Sequence, residues 1–404
     1  MNHPYRIVCI GGGTGLPQLL TGFKQLAATP ADSAVVSLEQ LTAIVTAFDD
    51  GGSSGRIVEA YQTLPPGDLR NCLVALADEQ AEPLLTHFFN HRFREDEHES
   101  LAGHSAGNLL LLTLSQIHGG DVRKALLSMK AILPFKSTLL FPTLSPAVLC
   151  AELADGSVIR GESRIAHRDI RHPIIRVFLE PRHSGSPPGF PPMEGVLEAI
   201  AQADLITLGP GSLYTSVLPH FLVDGVSEAL RRSKAKKVYV CNLMIESGET
   251  DGFRVSDHVS QLEHLGRLQV DAVVANSAPV PTSLQRAYER ARLQSELDKS
   301  IRALQRAFER SLENPASAHQ LELESDLARA HCYELAEQIR HPGSTFVQVL
   351  PKKGEHFPDR IRVITAELVA HAEVMDRGNT KKVIRHDPLK LARAILSVLN
   401  EEGS

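Results

Sequence analysis

The sequence predicts an α/β fold: a doubly wound, mostly parallel sheet with an inserted helical hairpin. Three observations lead there. Arg6–Ile10 and Leu41–Phe48 are short apolar runs of buried-strand type, and each runs into a glycine-rich turn that opens a helix. The strand pattern returns at Leu205–Leu208, Lys237–Cys241 and Val270–Ala275, each ending in a small or amide residue. Between residues 293 and 340 the alternation stops, and two long helical stripes replace it.

Element by element, Gly11–Gly15 follows the first strand and Leu16–Ala27 continues at helical spacing. Helices are expected over Leu69–Asp78, Pro83–Arg92, Asn108–Ile117 and Val122–Leu133. Ala147–Leu153 and Val158–Gly161 form a hairpin through Asp155-Gly156, and Ile174–Leu179 is a further strand. The charged run Arg94–Ser100 and the Pro/Gly-rich run His183–Pro192 read as loops. Val196–Gln202 is helical. Leu293, Leu297, Ile301, Leu304, Phe308 and Leu312 make one apolar face, stopped at Asn314-Pro315. Leu321, Ala328, Cys332, Leu335 and Ile339 make the second. A last strand (Arg360–Thr365) and helix (Pro388–Leu399) close the chain. The expected division is a core of residues 1–292 with 358–404, and an insertion of residues 293–357.

Composition narrows the function classes. The 404 residues carry a net charge of −6, so there is no basic footprint for nucleic acid. Trp is absent and aromatics make up 5%, which gives no base-stacking platform. No apolar run reaches the ~20 residues of a membrane helix. Cys9, Cys72, Cys150, Cys241 and Cys332 form no C-x-x-C pair and read as reduced, mostly buried thiols. With no basic-then-apolar leader, a cytoplasmic protein is expected.

Five motifs carry the candidate chemistry. Gly11-Gly12-Gly13-Thr14-Gly15 lets backbone approach a phosphate at a helix N-terminus, although it matches neither G-x-G-x-x-G nor a P-loop. Asp49-Asp50-Gly51-Gly52-Ser53-Ser54-Gly55-Arg56 places two acids at a strand's carboxyl end, where a ligand, a metal ion or loop N–H groups must satisfy them. A helix cap from Asp50 or Ser53 is the plainer role. In Pro65–Asn71, Asp68 is suited to cap the next helix, while Arg70 and Asn71 lie in its first turn, where a cation opposes the dipole. Gly103-His104-Ser105-Ala106-Gly107-Asn108 looks like a nucleophile elbow but lacks the preceding strand. Ser105 as a helix cap is simpler, with His104 and Asn108 left to face a ligand. Gly209-Pro210-Gly211-Ser212-Leu213-Tyr214 repeats the glycine-turn logic on another strand, and Asn242 and Asn276 end two more. No zinc-spaced Cys/His cluster and no Ser/His/Asp set is apparent.

The motif order, extended by Cys241-Asn242-x-Met244 and Gly248-Glu249-Thr250-Asp251-Gly252, resembles the YvcK-type gluconeogenesis factors, a branch of the superfamily of the phospho-L-lactate transferase CofD. The resemblance spans about residues 5–292 and resumes at about 360–399. It implies a Rossmann-like core and a cytoplasmic regulator that binds a nucleotide sugar such as UDP-N-acetylglucosamine, linked to carbon metabolism, cell-wall supply and cell shape. The alternative is a CofD-like, Mg²⁺-dependent transferase of a phosphorus-containing group. Implied ligand residues are Gly12, Gly13, Thr14, Gly15, Asp49, Asp50, Gly51, Gly52, Ser53, Asp68, Arg70, Asn71, His104, Asn108, Gly209, Gly211, Ser212, Tyr214, Asn242, Phe253 and Asn276. Asp49 and Asp50 stand where relatives place Mg²⁺ and phosphates. Partners are a nucleotide or nucleotide-sugar ligand and a second copy of the chain. The chain departs from its relatives at Pro134–Thr138, where they often carry Arg-Gly-Lys/Arg. It has Ile245-Glu246-Ser247 where Thr-Gln-Pro is frequent, and Phe253 where some have Tyr.

Overall fold

The computed structural model describes residues 3–78, 83–93, 101–166, 172–183, 189–246, 248–313, 318–340, 348–376 and 379–399. The run Arg94–Ser100, part of the Pro/Gly-rich loop, Ser247 and the Asn314-Pro315 stop lie outside them.

The first half runs β1 (Ile7–Gly11), α1 (Gly15–Ala28), β2 (Leu41–Val45), α2 (Gly52–Tyr61), α3 (Gly67–Leu76), α4 (Pro83–Asn90), α5 (Ala106–Ile117), α6 (Val122–Ile132) and β3 (Thr138–Leu140). There follow β4 (Ala147–Leu153), β5 (Val158–Arg160), α7 (Glu162–Ala166), β6 (Ile174–Pro181), α8 (Val196–Gln202), β7 (Leu205–Leu208), α9 (Val226–Arg232), β8 (Lys236–Val240), α10 (Val255–Gly266) and β9 (Ala272–Asn276). The chain ends with α11 (Thr282–Glu313), α12 (Ala318–Arg340), β10 (Arg362–Ala366), β11 (Val369–Asp376), β12 (Asn379–His386) and α13 (Pro388–Leu396).

Among the described residues the main sheet has seven strands in the order β10-β9-β8-β7-β1-β2-β3, and every pairing is parallel. The fold is therefore the doubly wound α/β architecture that the strand–turn–helix pattern predicts. Chain order reverses between β1 and β7, and ligands bind at such a switch point in open α/β sheets. Register aligns the carboxyl ends there: Gly11 pairs with Val45 and Ile10 with Leu208. The five inner strands, β9, β8, β7, β1 and β2, are almost wholly buried, which accounts for apolar runs without alternation.

A separate antiparallel sheet, β5-β4-β6, interrupts the α/β series. Its hairpin pairs Cys150 with Arg160 and Glu152 with Val158 around Asp155-Gly156, as the turn residues predict. All five cysteines are free thiols and four are buried.

Two compact units result. One holds residues 1–278, 349–370 and 385–404; the other holds 279–348 and 371–384. Within the second, α11 already begins at Thr282, ahead of the stripe that opens at Leu293, because Gln285, Arg286 and Ala287 favour helix without supplying apolar periodicity. The β11–β12 pair has no counterpart in the sequence reading. Its polar run, with Lys381 beside Lys382, shows no strand alternation.

Candidate functional site

The two glycine turns meet at the switch point. A Cβ on Gly15 would lie 2.7 Å from the Pro210 carbonyl oxygen, and one on Gly211 would lie 3.2 Å from that of Gly12. Only residues without a side chain let these backbones interlock. The Gly211 N–H also reaches Asn242 Oδ1 at 3.4 Å. Gly12 is equally confined, since a Cβ there would stand 2.3 Å from Thr46 Cγ2.

Around this junction α1, α2 and α3 begin with no side-chain cap, at Thr14, Gly51 and Pro66. Uncapped first turns leave N–H donors for an anion. The expected caps are absent for a physical reason: the acids bond elsewhere. Asp68 does not cap its helix but accepts the Gly13 N–H at 2.7 Å. Asp49 accepts the Gly51 N–H at 2.9 Å. Asp50 accepts the Ser163 N–H at 2.8 Å, bracing the turn into α7.

Carboxylates dominate the electrostatics. Burial raises Asp68 to about 7, Asp49 adds to the rise, and the Gly13 N–H and Arg70 oppose it. Burial raises Glu162 to about 8, reinforced by Asp49, Glu249, Asp50 and Asp68. Burial also raises Asp49. Glu246 is pushed well up by burial and by Glu249. Ser212 Oγ donates to Glu249 Oε2 at 2.5 Å and accepts the Thr215 N–H at 3.1 Å. Glu162 and Glu249 stand in the site without being among the residues expected there, and Glu246 joins them as more than a departure from the relatives. Glu249 lay in a quoted motif, whereas Glu162 had no local signal.

Arg70 is buried and donates Nη2 to Asn71 Oδ1 at 2.6 Å; burial and Arg92 lower it to about 10, against Asp68. Its Nε, Asn108 Oδ1 and Thr46 Oγ1 are buried without a hydrogen-bond partner. Such orphans are rare unless a ligand or water satisfies them. Arg56, suited by type to phosphate, instead donates to the Ala102 carbonyl. Ser105 caps α5 by accepting the Asn108 N–H at 3.1 Å, as expected. Tyr214 is buried in the turn after Ser212.

The structure therefore joins the residues Gly12–Gly15, Asp49–Ser53, Asp68–Asn71, His104, Asn108, Gly209–Ser212 and Asn242 through shared contacts. Two expected residues are engaged elsewhere. Asn276 bonds Ala278 and the Leu368 N–H, and Phe253 packs edge-on against His258 at 5.4 Å.

Among the described residues, no three His, Cys, Asp or Glu side chains gather closely enough to hold a metal ion. Mg²⁺ characteristically takes only one or two carboxylates and fills its shell with water and phosphate. Asp49, half-buried beside Asp68, meets that description; Asp50 is turned to Gly161 and Ser163.

Fold and site define a doubly wound α/β protein with paired glycine turns at its switch point. Residues 7–312 match the family model described as 2-phospho-L-lactate transferase CofD. The chain is 41% identical over 283 residues to the gluconeogenesis factor of Halalkalibacterium halodurans, covering 70% of this chain and 80% of that one. It is 41% identical over 290 residues to the gluconeogenesis factor of Bacillus subtilis, covering 72% and 84%. A relative from Deinococcus radiodurans, 43% identical over 290 residues (72% of this chain), is matched over 57% of its own length. A crystal structure of a Bacillus halodurans protein superposes with a TM-score of 0.70 at 32% identity, over 97% of this chain and 99% of that one. The chain belongs to the CofD family, among its gluconeogenesis factors. Among the described residues no helix is long and apolar enough to cross a membrane.

Proposed function

We propose that this protein binds a nucleotide sugar of the UDP-N-acetylglucosamine type at the switch point and acts in the cytoplasm as a regulator tied to carbon metabolism, cell-wall supply and cell shape. The observation that carries the reading is the interlock of Gly12–Gly15 with Gly209–Gly211, which brings two glycine turns to one sheet edge. A diphosphate with a sugar on one side and a nucleoside on the other suits two such turns. Arg70, with an unmatched Nε, supports it as a phosphate partner. Mg²⁺ belongs to the proposal through Asp49 with Asp68 beside it, where it would supply charge neutralisation for the phosphates. Self-association belongs to it through α11 and α12, which expose Ile301 and Tyr333.

The test is thermal unfolding with UDP-N-acetylglucosamine, UDP and GDP, each with and without Mg²⁺. At 100 times its dissociation constant a ligand adds about 2.7 kcal/mol. The expected result is a shift with the UDP-sugar exceeding that with GDP. No shift with any UDP-sugar at millimolar concentration defeats the reading.

A second reading is a CofD-like transferase of a phosphorus-containing group. Asp68 near 7 and Glu162 near 8 favour it, because groups that titrate near neutrality suit proton transfer. Mg²⁺-dependent turnover of a nucleotide-activated phosphate ester would establish it over the regulator.

A further inference from the structure

Ser53, His104 and Asn108 form a hydrogen-bonded chain at the first turns of α2 and α5. Ser53 Oγ lies 3.0 Å from His104 Nδ1 and accepts from Asn108 Nδ2 at 3.1 Å. All three residues are buried, and Ser105 pins the Asn108 backbone. An amide nitrogen only donates, and His104 Nδ1 is the one other partner of Ser53 Oγ among the described residues, so an Nδ1–H donor would leave the buried hydroxyl hydrogen without an acceptor. Nδ1 is then the acceptor, and the neutral ring carries its hydrogen on Nε2. Turning the Asn108 amide over would reverse this, but it would leave the two-donor nitrogen unmatched where now a single oxygen is unmatched. Orphaned N–H donors are the rarer defect.

The turn that presents His104 is held from both sides. Arg56 donates to the Ala102 carbonyl at 2.5 Å and Arg92 to the Gly103 carbonyl at 3.1 Å. Burial, then these two cations, lowers the ring's affinity for a second proton. His104 keeps 8% of its surface exposed, and among the described residues no hydrogen bond engages Nε2.

We propose that His104 acts in this site as a neutral hydrogen-bond donor through Nε2–H to an acceptor oxygen of the ligand, with Ser53 and Asn108 as positioning residues that set its tautomer. The donor half rests on the reading of this edge as a ligand site; the tautomer half does not. With Nδ1 occupied by the Ser53 hydroxyl, the ring cannot offer that nitrogen to the ligand as a base. It selects an oxygen with a lone pair, phosphoryl or carbonyl, over a hydroxyl or amine donor.

The full-length protein labelled with ¹⁵N tests both halves. Long-range ¹H–¹⁵N spectra near neutral pH should show His104, identified by its loss in His104→Gln, with its hydrogen on Nε2. Ser53→Ala should convert that signature to a mixture of tautomers. A hydrogen on Nδ1 in the unaltered protein, or no change in Ser53→Ala, overturns the relay whatever the ligand. Calorimetry with UDP-N-acetylglucosamine and with UDP then tests the donor. His104→Gln, whose amide nitrogen can reach the Nε2 position, should bind within about threefold of the unaltered protein, while His104→Asn should lose about tenfold, one good hydrogen bond. A loss seen with the UDP-sugar but not with UDP assigns the acceptor to the sugar side; a loss with both assigns it to phosphate or uracil. Equal binding by both variants overturns the donor role. If the unaltered protein binds neither compound, the ligand reading and the donor role fall together, while the spectra still decide the relay.

Discussion

The Asp68 carboxylate accepts the Gly13 backbone N–H at 2.7 Å, so a donor of the first glycine turn is held by an acid 55 residues away. The same acid is half-buried and feels the charges of Asp49 and Arg70. An N–H of the kind suited to phosphate is thus engaged by a carboxylate.

The pH dependence follows from the raised carboxyls. Asp68 titrates near 7 and Glu162 near 8 in the folded protein, against ordinary values of 3.8 and 4.5. The folded state therefore binds more protons than the unfolded chain between those limits, and stability falls as pH rises. Melting temperature should decline from about pH 5 to about pH 8. Asp68→Asn and Glu162→Gln should each flatten the decline, as should Mg²⁺. A flat profile in the unaltered protein counts against this arrangement.

Gly15→Ala should separate the two glycine turns, because its Cβ would meet Pro210 O at 2.7 Å. We expect a loss of about 1–3 kcal/mol in urea unfolding, typical of overpacking, together with lost nucleotide-sugar binding. Binding retained at unaltered affinity would show that the interlock serves packing alone.

Asp49 and Asp50 should separate in their effects. Asp49→Asn is expected to remove the Mg²⁺ dependence of ligand binding with little change in melting temperature. Asp50→Ala should lower the melting temperature, since it removes the acceptor for the Ser163 N–H. Calorimetry with and without Mg²⁺, paired with thermal unfolding, checks both. Identical behaviour of the two variants would count against distinct roles.

Ser212→Ala should destabilise by about 1 kcal/mol, the usual value of a lost helix cap. It also removes the bond to Glu249, so ligand affinity should fall with it if this turn contacts the ligand. Chemical unfolding and calorimetry on one preparation separate the two effects.

Removing residues 295–340 should leave the ligand-induced melting shift in place, because the candidate site is drawn from residues 12–249, and should alter self-association. Light scattering checks the second outcome. An unchanged oligomeric state defeats the association role, and a lost melting shift shows that the segment supports the site.

Strand and turn chemistry are local, and they were legible in the sequence. Five buried parallel strands, the hairpin at Asp155-Gly156, the Ser105 cap and the two glycine turns each follow from residues adjacent in the chain. The motifs also placed most candidate residues at strand ends, which a parallel sheet brings to one edge. Partner choice was not legible. Asp68 has the spacing of a helix cap, yet it bonds Gly13, and Asp50 bonds Ser163. Glu162 enters from beside the small antiparallel sheet with no motif of its own. The β11–β12 pair, rich in Lys and His, shows no strand alternation. A carboxylate goes to whichever donor burial leaves unmatched, and its protonation follows the charges packed around it. Both depend on distances between segments far apart in sequence, which are set when the chain folds.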